Sequence, residues 1–218
     1  AALAAGLHDP AIDLRPDERA LLHEQGDAAL REHAQLKLNR VLLLELHAAA
    51  RGGDIGPLEG AGALDEFVAL ATGEGFHEHL QRRYPVLLPR LSRMLEGQCA
   101  AVVELAARIG RDRALLTDLL GSPAGSLRAV SLGRGDLHGG GRTVARLQFD
   151  GGTLMYKPRS LRIDATLDGL LAAVFGEGPG RVRVPRVVDR GSHGWAAFAE
   201  HRYCSGDEEL RAYYRGLG

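Results

Sequence analysis

Residues 135–142 read Gly-Asp-Leu-His-Gly-Gly-Gly-Arg, and residues 155–160, one short strand pattern later, read Met-Tyr-Lys-Pro-Arg-Ser. Lys157 in the second stretch is one of only two lysines, and the rest of the 27 basic residues (Lys and Arg) are arginines. A lysine in a short apolar strand, preceded by a flexible glycine turn, suggests a phosphate ligand selected for its compact ammonium head. No other part of the chain is as specific.

The spacing of apolar residues changes in the middle of the chain. From Arg31 to Leu120 it has the helical period, and from Leu127 onward apolar and polar residues alternate as in strands. The sequence therefore predicts an α+β fold, with a helical region over residues 1–124 and an antiparallel sheet of about five strands plus one helix over residues 125–218.

The order of elements in the second region is strand, glycine loop, strand, hairpin, strand, helix, strand and strand. The same order is found in the nucleotide-binding lobe of a protein kinase. The predicted strands cover residues 143–149, 153–159, 182–188 and 195–203, and the predicted helix covers 163–175. In the helical region the sequence predicts a short helix from Pro16 to Leu22 and a strong one after Tyr84-Pro85, with Gly110 and Gly121 as candidate ends.

Composition argues against several classes of function. The formal net charge is −1 with both signs interspersed, which gives no electrostatic footprint for nucleic acid. Cys99 and Cys204 are too few for a disulfide framework, so we expect reduced thiols in a cytoplasmic protein. His77 and His79 point to different sides of a helix, and we predict no metal site from this chain. No apolar run reaches the roughly 18 residues that cross a bilayer.

The glycine loop Gly133-x-Gly135-x-x-x-Gly139 is one residue longer than the kinase pattern, and it is not a Walker A loop, since no Gly-Lys-Ser/Thr follows. Glycines allow backbone amides to point at an anion, so the loop, with Gly139 and Gly140, is a candidate phosphate cradle. For the glycines alone, a tight hairpin that binds no ligand is the favoured interpretation.

Lys157 favours the phosphate interpretation. It shares a strand face with Thr153 and Met155, while Leu154 and Tyr156 face the other way. The proline that follows disfavours the helical region for Lys157 and keeps its backbone extended. The alternative is a solvated surface lysine.

Asp136 and His138 form a second candidate group within the loop. A carboxylate about 4 Å from a phosphate oxygen is repelled by roughly 1 to 4 kcal/mol, so we expect Asp136 to have another task. In an extended loop both side chains lie on the same side and can form a carboxylate–imidazole pair for proton transfer. The alternative is a turn-capping aspartate beside a surface histidine.

Further charged residues lie near Lys157. In a complete kinase-like lobe the helix after the lysine offers it a carboxylate, and Asp164 and Asp168 are the candidates. A helix cap and an exposed acid are the alternatives for these two residues. Arg142 and Arg159 flank the predicted cleft and are candidate phosphate contacts.

Three ordered stretches resemble the dehydratase domain of class II lanthipeptide synthetases (LanM). They are residues 135–142, 154–160 and 189–201, and the helical stretch from Tyr84 to Arg113 is similar as well. The resemblance is weakest before Arg31. Three motifs at compatible separations make it more specific than any single motif.

The resemblance implies a degenerate lipid-kinase-like fold and a two-step reaction on a ribosomal precursor peptide, leader plus core. Ser and Thr would be phosphorylated with ATP and Mg²⁺, and elimination of phosphate would leave dehydroalanine or dehydrobutyrine. The resemblance implies that Lys157 holds the ATP phosphates, that Asp136 and His138 serve elimination, and that residues 200–204 form the hinge that meets adenine.

The family's second-lobe catalytic and metal-binding residues, and its zinc-binding cyclase domain, are expected beyond Gly218. We therefore expect both ends to be cuts through a longer polypeptide, and this chain alone to be inactive. Two other interpretations stay open. One is a kinase-like phosphotransferase acting on a small molecule, which has no need of an Asp136–His138 pair. The other is a non-catalytic scaffold whose helical half binds a partner or leader peptide.

Overall fold

The computed structural model describes residues 2–60, 62–133, 139–176 and 184–217. The helices are α1 (Ala2–Leu7), α2 (Pro16–Gly52), α3 (Ala63–Thr72), α4 (Phe76–Arg83), α5 (Leu87–Leu120), α6 (Arg162–Phe175) and α7 (Asp207–Leu217). The strands are β1 (Leu127–Ser131), β2 (Ala145–Phe149), β3 (Gly152–Lys157), β4 (Val187–Asp189) and β5 (Gly194–Ala197). Helices followed by one five-stranded sheet confirm the predicted α+β class. No helix in these ranges is long and apolar enough to cross a membrane.

Helix α2 is a single helix of 37 residues, whereas the sequence predicted a short helix near Pro16 and a separate pattern from Arg31. Pro16 opens the helix, and Gly53 ends it in the left-handed conformation at φ 80°. The helix continues through Gly26. Packing explains the glycine at this position, since a Cβ there would lie 2.8 Å from a Leu3 methyl group.

Helix α5 runs for 34 residues and passes through Gly110, so the prediction of a helix end there is wrong. The glycine serves packing instead, since a Cβ at Gly110 would lie 2.5 Å from the carbonyl oxygen of Asp13. Gly121 ends the helix at φ 73°, as predicted.

The sheet has the order β1-β2-β3-β5-β4, with all neighbours antiparallel. The predicted order of elements along the chain is confirmed, and the strands are shorter than expected. Residues 184–186 precede β4 without strand structure, and residues 182 and 183 lie outside the described ranges. Strand β5 ends at Ala197, the last residue that pairs with β3.

One apolar core joins the helices to the sheet. Leu147, Leu154 and Trp195 from the sheet belong to the same buried cluster as Leu22 and Ile109 from the long helices. The core is continuous across residue 124, and the domain boundary placed there stays a prediction.

Glu18 ties α2, α5 and β1 together, although its side chain is completely buried. It accepts a 2.6 Å hydrogen bond from Arg113 Nη2 and a 2.8 Å bond from the Leu127 N–H. A buried carboxylate needs such partners, since desolvation of an unpaired charge is costly.

We expect Glu18→Ala to lower the free energy of unfolding by about 3 kcal/mol, because Arg113 and the Leu127 N–H lose their buried acceptor. Urea unfolding followed by circular dichroism measures this. The matched control is Glu24→Ala on the exposed side of α2, which should change stability by less than about 0.5 kcal/mol. Equal effects of both substitutions would contradict the role of Glu18.

Candidate functional site

Lys157 is the last residue of β3, where its backbone pairs with Gly194 of β5. The predicted alternation is present: Leu154 and Tyr156 are buried, whereas Met155 and Lys157 are only half-buried. Lys157 therefore projects from the sheet face opposite to the one that carries Tyr156.

Asp164 in the first turn of α6 is the carboxylate partner of Lys157. Lys157 Nζ lies 3.1 Å from Asp164 Oδ1, and Arg159 Nη1 lies 2.8 Å from Asp164 Oδ2. The hydrogen bond from Arg159 lowers the pKa of Asp164, and Lys157 lowers it further against the opposing effect of burial. Asp168, the other candidate, accepts a hydrogen bond from the Val184 N–H. One carboxylate thus holds two cations side by side at the strand end.

Asp189 holds the start of α6 in place. Its Oδ1 accepts hydrogen bonds from the Leu161 N–H at 2.7 Å and from the Ser160 hydroxyl at 3.0 Å. Leu161 is fully buried against Gly194, where a Cβ would lie 2.5 Å from the leucine Cγ. The segment between Lys157 and Asp164 is therefore anchored on β4 and β5.

The glycine loop returns to the sheet beside Lys157. Asp136 and His138 lie outside the described residues, so their pairing stays a prediction. Gly139 and Gly140 are described, and Gly140 and Gly141 have φ values of 78° and 80°, which strongly favour glycine. Ala145 pairs with Tyr156, so the loop enters β2 at the end of the sheet where Lys157 lies.

The end of the loop rests directly on helix α5. A Cβ at Gly97 would lie 2.9 Å from the carbonyl oxygen of Gly140, and one at Gly141 would lie 2.6 Å from the backbone nitrogen of Gln98. Backbone meets backbone here with no intervening side chain. Packing therefore requires glycine at positions 97 and 141, and the left-handed backbone of Gly141 favours it further.

Glu104 joins α5 to the same loop through Arg142. Arg142 Nε lies 2.7 Å from Glu104 Oε2, and Arg142 Nη1 donates a 3.2 Å hydrogen bond to the Gly139 carbonyl. Glu104 also pairs with Arg108 at 2.6 Å, and Arg108 donates a hydrogen bond to the Tyr156 hydroxyl. Burial raises the pKa of Glu104, but Arg142 and Arg108 outweigh it, and the pKa lies below its ordinary value. Arg142, a predicted phosphate contact, is engaged by Glu104 in this structure.

The sequence did not predict a buried polar cluster around Asp112, one turn after Arg108 on α5. Asp112 Oδ2 accepts hydrogen bonds of 2.8 Å from both His193 Nε2 and Trp195 Nε1. Arg190 Nε lies 3.2 Å from the other carboxylate oxygen. Asp112 and His193 are only 1% and 4% exposed. The available signal was the i, i+2 spacing of His193 and Trp195, which places both on one face at β5.

The same cluster shifts two ionisation equilibria. Burial lowers the pKa of His193, and the charges of Arg108 and Arg190 lower it as well; the hydrogen bond and charge of Asp112 offset these effects only in part, so the pKa lies below its ordinary value. Burial raises the pKa of Asp112, but the hydrogen bonds from Trp195 and His193 and the charge of Arg190 outweigh it and lower the pKa. The cluster joins α5 to β5 through buried hydrogen bonds.

The remaining predicted elements form no hydrogen bond or ion pair with Lys157 in the part of the chain that the structure describes. Residues 200–204, predicted as the hinge, are exposed and have no regular structure. His79 Nε2 contacts Glu45 at 2.6 Å, and His77 Nε2 contacts Gln81 at 3.0 Å. No cluster of three or more potential metal ligands occurs among the residues that the structure describes.

The family model described as "Domain of unknown function (DUF4135)" matches residues 84–218, which is more than half of the chain. The chain belongs to the DUF4135 family. The match includes α5, the whole sheet and the Lys157 site, and DUF4135 domains are found in LanM-type proteins.

This DUF4135 chain is also similar to a lacticin 481/lactococcin biosynthesis protein, LcnDR2, of Lactococcus lactis subsp. lactis. The two are 24% identical in an alignment 157 residues long, and the matched part covers 68% of this chain. The chain spans 17% of the length of that relative. Together the two findings confirm the resemblance to lanthipeptide synthetases that the sequence motifs predicted.

Two helical glycines in the DUF4135 chain provide a matched test of the contact between α5 and the loop. We expect Gly97→Ala to lower the free energy of unfolding by at least about 1 kcal/mol, because the new methyl group overlaps the Gly140 carbonyl. Gly169→Ala on α6 meets no atom of the described residues within 4 Å and should raise stability by about 0.5 to 1 kcal/mol. Thermal or urea unfolding measures both, and stabilisation by Gly97→Ala would rule out the close approach.

The pH dependence of stability should report His193. The unfolded chain protonates this imidazole near its ordinary pKa of 6.5, whereas the folded pKa is lower, so stability falls as the pH drops below about 6.5. Asp112 does not change this trend between pH about 5.5 and about 7.5. Its folded pKa is lowered, so the stability that it contributes is lost only as the pH falls below its ordinary pKa of 3.8.

The measurement is the difference in free energy of unfolding between the unaltered chain and His193→Gln, followed by Trp195 fluorescence. It should shrink from pH about 7.5 to about 5.5, by at most about 1.4 kcal/mol per pH unit. A difference that grows on acidification would mean that Asp112 holds an imidazolium instead.

Proposed function

We propose that this chain is the N-terminal part of a LanM-type dehydratase, which phosphorylates Ser and Thr residues of a precursor peptide with ATP and then eliminates phosphate. The observation that carries the proposal is the Lys157 ammonium, held 3.1 Å from Asp164 at the strand end where the glycine loop enters the sheet. A lysine on the third strand paired with a carboxylate of the following helix is the arrangement that kinases use. The similarity to a lacticin 481/lactococcin biosynthesis protein supports a peptide substrate.

The residues at this end of the sheet fit the phosphates of a nucleotide. Lys157 supplies a compact ammonium and Arg159 a guanidinium, both positioned by the same carboxylate. Gly139 and Gly140 allow close approach of the loop backbone, and Arg142 holds that backbone against α5. ATP supplies the phosphoryl group when bound. Mg²⁺ would be held by residues outside those described here.

Asp136 and His138 are proposed to act in elimination. A base removes the proton from Cα of the phosphorylated residue, the electron pair forms the Cα–Cβ double bond, and the Cβ–O bond breaks to release phosphate. A carboxylate–imidazole pair is suited to this proton transfer, whereas a carboxylate alone would repel the phosphates during the first step.

Phosphorylation and elimination are proposed for a polypeptide that carries this chain together with the remaining parts of a dehydratase. The chain spans only 17% of the relative it matches. Inactivity of the isolated chain and a cytoplasmic location stay predictions.

Lys157→Ala in the full-length protein should abolish phosphorylation of the precursor peptide, because it removes the ammonium group that is proposed to hold the ATP phosphates. Intact-mass spectrometry of the peptide after incubation with ATP and Mg²⁺ measures this. The control is Arg128→Ala at the opposite end of the sheet, whose partner is the exposed Asp150, and it should leave dehydration unchanged. Normal dehydration by the Lys157 variant would remove that residue from the mechanism.

His138→Ala in the full-length protein should separate the two steps. We expect phosphorylated peptide to accumulate, visible as one added phosphate mass per modified residue, because phosphoryl transfer persists while proton removal fails. Unchanged dehydration, or peptide without any phosphate, would contradict the elimination role of His138.

A further inference from the structure

A groove of about 770 Å³ opens where α2 and α5 diverge, away from the Lys157 site. It lies between the middle of α2 and the first turns of α5, and the segment that joins α4 to α5 closes one end. Its lining consists of apolar and cationic side chains and one tyrosine: Lys37, Arg83, Tyr84, Pro85, Val86, Leu87, Arg90, Leu91 and Met94. Among the residues that the structure describes, no acidic one lines it.

Apolar side chains form the α5 wall of the groove. Leu87, Leu91 and Met94 are half-buried and line the wall on α5, and Val86 at the rim is 63% exposed. The unbranched methionine can adapt its shape to different apolar side chains. Such a surface offers burial to the side chains of a partner.

Cations border this apolar strip on both sides. Lys37 comes from α2, and Arg90 comes from α5. Neither forms an ion pair within the part of the chain that the structure describes. Two unpaired cations on either side of an apolar strip favour a partner that carries both carboxylates and apolar side chains.

A buried acid holds one end of the groove in a fixed shape. Glu45 of α2 is 5% exposed. It accepts a 2.6 Å hydrogen bond from the Tyr84 hydroxyl and lies 2.9 Å from Arg83 Nε. Burial raises the pKa of Glu45, but the hydrogen bonds from Tyr84 and His79 and the charge of Arg83 outweigh it and lower the pKa. The wall formed by Arg83 and Tyr84 is therefore ordered before any partner arrives, which reduces the entropic cost of binding.

We propose that this groove binds an acidic peptide segment that places apolar side chains on the strip between α2 and α5 and carboxylates on Lys37 and Arg90. A second copy of the chain is disfavoured as the occupant, since a self-complementary contact would bring the cationic rims together. Nucleic acid is disfavoured because the strip is aliphatic, with a single tyrosine available for stacking.

The groove shares no residue with the Lys157 site, so peptide binding does not rest on phosphoryl transfer. Binding can be measured without ATP. Peptide binding by a protein that does not phosphorylate would support this proposal and contradict the proposed function. Phosphorylation by a protein whose groove binds no peptide would support the proposed function and contradict this proposal.

The probe is a fluorescein-labelled peptide of about 14 residues, long enough to span roughly 20 Å as a helix, with leucines at helical spacing and Glu or Asp elsewhere. Fluorescence anisotropy with the 218-residue chain measures its affinity. Two comparison peptides replace the acids by lysine or the leucines by serine. We expect saturable binding of the first peptide that weakens with added salt, and little binding of either comparison peptide.

Matched substitutions test the location of the site. Lys37→Glu combined with Arg90→Glu should weaken binding at least about tenfold, because two attractive contacts become repulsive. Arg40→Glu combined with Arg93→Glu makes the same charge change on the same two helices outside the groove, and should change affinity less than about twofold. Circular dichroism confirms that both double variants are folded, and Arg90→Gln alone gives a milder version of the test.

Several outcomes would overturn the proposal. One is that the two double variants weaken binding of the acidic peptide equally. Another is that the lysine peptide binds as tightly as the acidic peptide, and a third is that the acidic peptide shows no saturable binding. Self-association through the groove, detected by light scattering and abolished by the first double variant, would assign the groove to a second copy instead. Tighter binding of a single-stranded RNA of similar length would assign it to nucleic acid.

Discussion

Helix α5 makes the contact on which the geometry of the site depends. Gly97, Glu104, Arg108 and Asp112 lie on one face of this helix, at spacings of seven, four and four residues. In that order they meet the Gly140 backbone, Arg142, Tyr156 and the His193–Trp195 pair. One rigid helix therefore sets the position of the glycine loop relative to β3 and β5, and any change in its rotation would disturb all four contacts together.

The two sides of the sheet end are organised differently. On the side of α5, acids pair with arginines that hold backbone segments in place, as Glu104 does with Arg142. On the opposite side, Asp164 gathers Lys157 and Arg159 toward solvent. The first arrangement holds backbone segments in place, whereas the second sets two cations against one carboxylate at the strand end. This local excess of positive charge is present although the formal net charge of the chain is −1, and the proposed function assigns it to the phosphates of a nucleotide.

The sequence predicted the structure correctly where the alternation of apolar and polar residues and the glycines of a turn determine it. The alternation through β2 and β3, the hairpin between them and the faces of Leu154 and Lys157 follow directly from the residue pattern. The prediction failed where long-range packing overrides local signals: Gly110 resembles a helix end until the Asp13 backbone packed against it is known. The choice of Asp164 over Asp168, and the burial of Asp112 beneath Trp195, depend on contacts between residues far apart in the chain, which periodicity does not encode.

A crystal structure of the full-length protein with Mg²⁺ and a non-hydrolysable ATP analogue tests most directly whether this end of the sheet is a nucleotide site. The result we predict is a phosphate oxygen within about 3 Å of Lys157 Nζ, with Asp164 still beside the amine and the 139–142 backbone still seated on Gly97. An analogue bound elsewhere, with Lys157 facing bulk water, would contradict it.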